Sequence, residues 1–148
     1  MALVQDILSV KGSKVYTITP DATVYEAVAR MNQHKLGALL VVGRDDPQEV
    51  IGIFTERDVM RRVVGQLRYA DLVVVGEVMT RDMITCAPNM TVEEVATIMQ
   101  EQRIRHLPVL TEHGRLAGML SIGDINAWHV SRANATITEL NDYICGRT

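Results

Sequence analysis

Aromatic residues are scarce in this sequence: Phe, Trp and Tyr make up 4% of 148 residues, with a single Phe and a single Trp. An aromatic core is thereby excluded, and the interior must be built from Val, Ile, Leu, Ala and Met, as in an aliphatic α/β domain. Cysteine is nearly absent. Cys86 and Cys145 have neither the spacing of a metal knuckle nor the number needed for a disulfide framework, so two ordinary buried or half-buried thiols are expected. Positive charge is not in excess. A formal charge of −3 and a pI near 5.8 give no electrostatic reason for a nucleic-acid or anionic-membrane surface. No run of 18 apolar residues occurs, and the stretch from Met1 to Lys14 carries Asp6 within its apolar run and lacks a small-residue cleavage site. Neither a membrane span nor a leader is expected, which implies a cytoplasmic protein.

Signatures of catalysis are missing as well. Gly118 to Gly123 has one residue too many for a Gly-x-Ser-x-Gly elbow, and there is no Gly-x-x-x-x-Gly-Lys or Gly-x-Gly-x-x-Gly loop. His34, His106, His113 and His129 show no i, i+4 pair, and Asp45-Asp46 is a lone acidic pair in a turn. The sequence therefore points to a non-enzymatic protein without a metal site. What it has in quantity is hydrophobic residue, 47% of the chain, enough for one good core in a chain of this length.

That hydrophobic content is organised as a repeat. Pro20-Asp21-Ala22-Thr23-Val24-Tyr25-Glu26 aligns with Pro88-Asn89-Met90-Thr91-Val92-Glu93-Glu94, and the same offset places Met31 on Met99, Lys35 on Arg103, Leu36 on Ile104 and Val41 on Val109. Two positions are then lost. Gly43 to Glu49 in the first copy answers to the shorter Thr111 to Arg115 in the second, a length change that a polar turn tolerates. Beyond it, Gly52-Ile53-Phe54-Thr55-Glu56-Arg57-Asp58 lies over Gly118-Met119-Leu120-Ser121-Ile122-Gly123-Asp124.

Local rules give both copies the same elements. Thr23 with Glu26 and Thr91 with Glu94 have capping-box spacing ahead of helically spaced apolar residues: Val24, Ala27, Val28 and Met31, then Val92, Val95, Ala96 and Met99. Strand pairs follow at Ala38 to Val42 with Val50 to Phe54, and at His106 to Leu110 with Leu116 to Leu120. Thr55 and Ser121 are then N-caps of a second helix in each copy. The order per repeat is β-α-β-β-α. Each half is too small to cover its own sheet, so the two should pack through their sheets as a pseudo-two-fold α/β (α+β) sandwich. The boundaries expected are residues 1–68 for the first repeat with the N-terminal segment, 69–80 for a packing connector, 81–130 for the second repeat, and 131–148 for a helical tail. In that tail Ile137, Leu140 and Ile144 share a face, with Gly146 as the stop.

Both Gly-x-x-Thr/Ser-x-x-Asp segments close a strand pair and open a helix, and with the Thr-Val helix starts and His106-Leu107-Pro108-Val109 they closely resemble the CBS domain pair. The likeness, to the cystathionine β-synthase-type repeat or Bateman module, runs from about Val4 to Trp128. Similar free-standing pairs occur as small bacterial proteins. The resemblance implies a regulatory module that binds an adenosine nucleotide between its repeats and signals by changing conformation. Its alternative is a ligand-free module serving as a dimerisation or protein-docking domain.

The motif suits such a ligand. A hydroxyl beside free N–H groups at a helix N-terminus accepts phosphate, and an Asp three residues on can receive both ribose hydroxyls. The same spacing also serves a plain helix cap, with Asp58 or Asp124 bonding only to its own first turn. Carried over from the family, Asp58 and Asp124 would hold ribose, and Thr55, Arg57, Ser121, Arg105 and His106 the phosphate. The adenine wall would be Tyr16, Thr17, Ile18, Pro20 and Gly118 in one cleft and Ile84, Thr85, Cys86, Pro88 and Gly52 in the other. Arg105 and His106 make the Ser121 cleft the more basic and favour a phosphorylated ligand, AMP first, then NAD(H) or ATP. Arg57, Arg61, Arg62 and Arg68 read equally as an exposed basic helix face. The family further implies a homodimer and a downstream protein partner that the sequence does not identify.

Overall fold

In the computed structural model, which describes residues 1–12 and 14–146, the sequence repeat becomes a repeat of hydrogen-bond register. The last two positions of the expected tail lie outside the described residues. In chain order the elements are α1 (Val4–Lys11), β1 (Thr17–Ile18), α2 (Val24–His34), β2 (Ala38–Val42), β3 (Val50–Thr55) and α3 (Glu56–Asp58). After these come α4 (Val75–Val78), α5 (Val92–Gln102), β4 (His106–Leu110), β5 (Leu116–Ser121) and α6 (Ile122–Ile144). β1 runs parallel to β2 and β2 antiparallel to β3, pairing Ala38 with Thr55 and Val41 with Gly52. β4 and β5 repeat this, with His106 opposite Ser121 and Val109 opposite Gly118. Even the irregularity recurs, between Val41 and Val42 and between Val109 and Leu110. The first strand of the second repeat is reduced to one parallel bridge, Cys86 to Val109, matching Ile18 to Val41 in the first.

Three apolar clusters follow from strand alternation. Leu39, Val41 and Phe54 face the core of the first repeat with Val24, Ala27 and Met31, while Leu107, Val109 and Leu120 join Val92, Val95 and Met99 in the second. The opposite strand faces meet. Ala38, Leu40 and Ile53 pack with Val50, Leu116 and Met119, so the repeats are joined through their sheets, as expected. Polar contacts extend this seam, with Leu116 N–H donating to Gln48 O and Arg115 paired with Asp46.

The helices start where the Thr residues predict, since Thr23 accepts from Glu26 N–H and Thr91 from Glu94 N–H. Only that half of each capping box forms. Both helices end at residues in the left-handed region, Lys35 and Arg103, again equivalent in the two copies.

Each repeat is completed by the segment that precedes the other repeat in sequence. Val4 N–H donates to Met90 O, Gln5 N–H to Pro88 O and Val92 N–H to Ala2 O, so α1 closes the second repeat, with Val4 and Ile7 in its core. Val75 N–H to Ala22 O, Gly76 N–H to Pro20 O and Val24 N–H to Val73 O do the same for the first. The N-terminal segment, grouped by sequence with the first repeat, thus packs on the second, and the connector covers the first.

The two second helices differ. α3 passes directly into a π-helical stretch, Val59–Val63, and a 3₁₀ turn, Val64–Gln66. α6 instead runs unbroken for 23 residues, about 35 Å, and the positions of the helical tail up to Ile144 lie within it. Val130, Ile137, Leu140, Tyr143 and Ile144 lie exposed along it. Among the described residues no helix is long and apolar enough to cross a membrane.

Candidate functional site

Both Asp residues cap their own helices. Thr55 N–H donates to Asp58 Oδ2 at 2.9 Å and its hydroxyl lies 3.2 Å from the same oxygen, while Asp58 N–H returns to Thr55 Oγ1. Ser121 and Asp124 reproduce this at 2.8, 3.0 and 3.1 Å. Capping therefore accounts for one oxygen of each carboxylate. The two copies differ in which further groups meet each carboxylate, and at which oxygen.

At Asp58, Oδ1 accepts from the Thr80 hydroxyl at 3.0 Å and lies 3.7 Å from Arg62 Nε. Thr80 is brought there by the connector, which turns extended after the short α4 and exchanges both backbone hydrogen bonds with Ile53. Arg62 also donates to the carbonyls of Val78 and Met79, and so fastens α4 to the helix that follows β3. It is thus not a free member of a basic face. Arg68 pairs with Glu77 and Arg57 donates to Arg103 O of the second repeat, which leaves Arg61 as the residue of that group without such a contact among the described residues.

At Asp124 the neighbour is Lys11, from the last turn of α1. Its ammonium lies 2.7 Å from Asp124 Oδ2 and 2.8 Å from Met119 O. Burial works against the Asp124 charge, but the Lys11 hydrogen bond and charge and the Ser121 N–H and hydroxyl together hold its pKa below the ordinary carboxylate value. His106 sits nearby in half-buried space, its ring edge 3.2 Å from where a side chain on Gly37 would begin and close to Glu56 of the first repeat. Burial, then the charges of Arg105 and Lys11, push its pKa down against the opposing pull of Glu56 and Asp124. The imidazole is neutral at neutral pH. Positive charge in this cleft therefore rests on exposed Arg105 and on Lys11, and His106 offers a hydrogen bond only.

The remaining predicted positions are structural in large part. Ile18 and Cys86 are buried strand residues, and burial raises the Cys86 thiol to about 11. Cys145, by contrast with the expectation of a buried or half-buried thiol, is exposed at the end of α6. Tyr16 stacks on His34 with ring centroids 4.1 Å apart, the Thr17 carbonyl accepts from Arg30, and the Pro20 and Pro88 carbonyls hold the two closing segments. Ile84 is partly exposed and Thr85 half-buried, and no hydrogen bond among the described residues joins Ile84 to Pro88 with Thr55 or Asp58. Gly52 and Gly118 do permit close approach, but by protein. A Cβ on Gly52 would lie 2.7 Å from Met79 Sδ and 2.9 Å from Thr80 O, and one on Gly118 2.8 Å from Leu8 Cδ2. Lys11 and Thr80 were not legible as site residues, because they arrive from segments distant in sequence with no motif of their own, whereas Arg62, four residues after Asp58, read only as part of a basic helix face. Among the described residues no group of three His, Cys, Asp or Glu side chains is placed to hold a metal ion.

Comparison with known proteins finds CBS domain matches over residues 4–65 and 75–130. A mitochondrial CBS domain-containing protein of Arabidopsis thaliana is 38% identical over 97% of this chain and 72% of its own length. The crystal structure of a CBS-domain containing protein from Agrobacterium tumefaciens superposes with a TM-score of 0.78 at 41% identity, covering 84% of this chain and 91% of that one. A CBS domain protein from Pyrobaculum aerophilum, complexed with AMP, superposes with a TM-score of 0.72 at 25% identity, over 82% of this chain and 88% of that one.

Proposed function

This chain belongs to the CBS-domain family, and from that premise we propose that it is a cytoplasmic, non-catalytic regulatory module that binds an adenine nucleotide, AMP in the first place and NAD(H) or ATP after it. The observation that carries the reading is the cluster at the start of α6. Ser121 and Asp124 stand at the positive end of a long helix, with Lys11, Arg105 and His106 around them, where one repeat meets the other. The AMP carried by the Pyrobaculum aerophilum protein supports the same ligand class. A ligand touching both repeats favours whichever arrangement of the pair it fits best, and that difference in affinity is the signal. The exposed apolar residues of α6 suit the surface through which such a signal passes, to a second copy or a protein partner.

The test is calorimetric titration of AMP, ADP, ATP, NAD, NADH and S-adenosylmethionine into the purified protein, with GMP as control. Binding confined to adenine nucleotides and abolished in Asp124→Ala, with cooperative unfolding retained, is the expected result. If a folded protein binds none of them, the module is a dimerisation or docking domain instead.

A further inference from the structure

The two clefts are equivalent in sequence but not in occupancy. Asp58 is nearly inaccessible, its side chain 6% exposed, and both carboxylate oxygens are engaged by Thr55, Thr80 and Arg62. The backbone of Thr80 pairs with Ile53 on both sides, so the chain itself fills the space beside β3. A ribose entering there would have to displace a paired strand. Asp124 is 22% exposed, and its Oδ1 has no hydrogen-bond partner among the described residues. At the position equivalent to Ile53, the Met119 carbonyl meets the tip of a lysine side chain where Ile53 meets backbone. Lys11 is a flexible, strongly hydrated point charge that re-aims at little cost. The difference arises because α1 remains helical for eight residues whereas α4 stops after four.

We propose that each chain takes one phosphorylated ligand, in the Ser121–Asp124 cleft, and that Lys11 is the cation that selects the phosphate there. This rests on the nucleotide-binding reading above. Asp124 Oδ1 receives the ribose diol, and Lys11, anchored beside Oδ2 within reach of the Ser121 hydroxyl end of α6, meets the phosphate together with Arg105. Glu56, on the far side of His106, is the opposing charge nearby. The Thr55–Asp58 cleft is a structural joint.

The experiment is titration of AMP, and separately of adenosine, into the full chain and into Lys11→Met and Lys11→Arg. The expected result is one AMP per chain, a loss of about 10- to 100-fold in AMP affinity for Lys11→Met, a much smaller change in adenosine affinity, and AMP affinity largely kept in Lys11→Arg. A merely structural lysine would lower both ligands together. Two AMP per chain, or an AMP-to-adenosine ratio that Lys11→Met leaves untouched, overturns this proposal while leaving the nucleotide reading intact. Absence of binding by the unmodified chain overturns both.

Discussion

Gly52 and Gly118 occupy the same register position, yet substituting each by Ala should have unequal effects. At Gly52 the new methyl would press on Met79 Sδ at 2.7 Å and on the Thr80 carbonyl at 2.9 Å, and the carbonyl is fixed by its pairing with Ile53. Overpacking of this kind costs about 1 to 3 kcal/mol, offset by roughly 0.4 to 1 kcal/mol from the lower entropy of the unfolded chain. A net loss of about 1 to 2 kcal/mol remains, or roughly 2 to 8 °C in Tm for a chain of this size. At Gly118 the obstruction is the end of the half-buried Leu8 side chain, which can turn aside, so the same terms nearly cancel. Paired urea unfolding curves at neutral pH measure both. Equal losses, or a larger one for Gly118→Ala, would refute the view that backbone and not side chain fixes the cost. If these glycines existed for a ligand, both variants would keep their stability and lose nucleotide affinity.

Two further outcomes follow from the ionisable groups. With its pKa depressed by burial, His106 favours the folded state fully above the ordinary histidine value of 6.5, and this contribution is lost as pH falls below it. The urea midpoint should therefore drop between pH 7.5 and 5.5, and drop less in His106→Gln; equal drops would contradict a neutral imidazole. The thiols should separate by rate, since Cys145 is exposed whereas burial holds Cys86 near 11. A maleimide should label one thiol of the native protein quickly and the second only in denaturant, and rapid labelling of both would show that the second core opens readily.

Much of the fold was legible because the chain states it twice. Strand ends at Ala38 to Val42 and His106 to Leu110, and the caps at Thr55 and Ser121, lie within a residue of the sequence expectation. These features depend on side chains close in sequence, which act through periodicity and capping. The exchange of α1 and α4 between repeats was not legible, for it rests on backbone groups such as Val4 N–H and Met90 O that carry no side-chain signature. The candidate site was half legible for a related reason. Sequence located Asp58 and Asp124 equally, but whether each keeps a free oxygen depends on what the closing segment brings, Thr80 in one case and Lys11 in the other. Likewise, the residue type of His106 suggests a cation, and its surroundings remove the charge.

The packing of α1 on the second repeat sets an order for assembly during synthesis. The connector that closes the first repeat is made directly after it, so its backbone pairing is available once Met79 and Thr80 have emerged, while its sheet face still awaits Leu116 and Met119. Val4 and Ile7 leave the ribosome long before Pro88 and Met90, and stay without their core until the second repeat is made. Folding of the second half is therefore a capture of a waiting segment. In the finished molecule this closure ties the beginning of the chain to its last strands, so that pulling or trimming at residues 1–11 would disturb Asp124 first and leave Asp58 as it was.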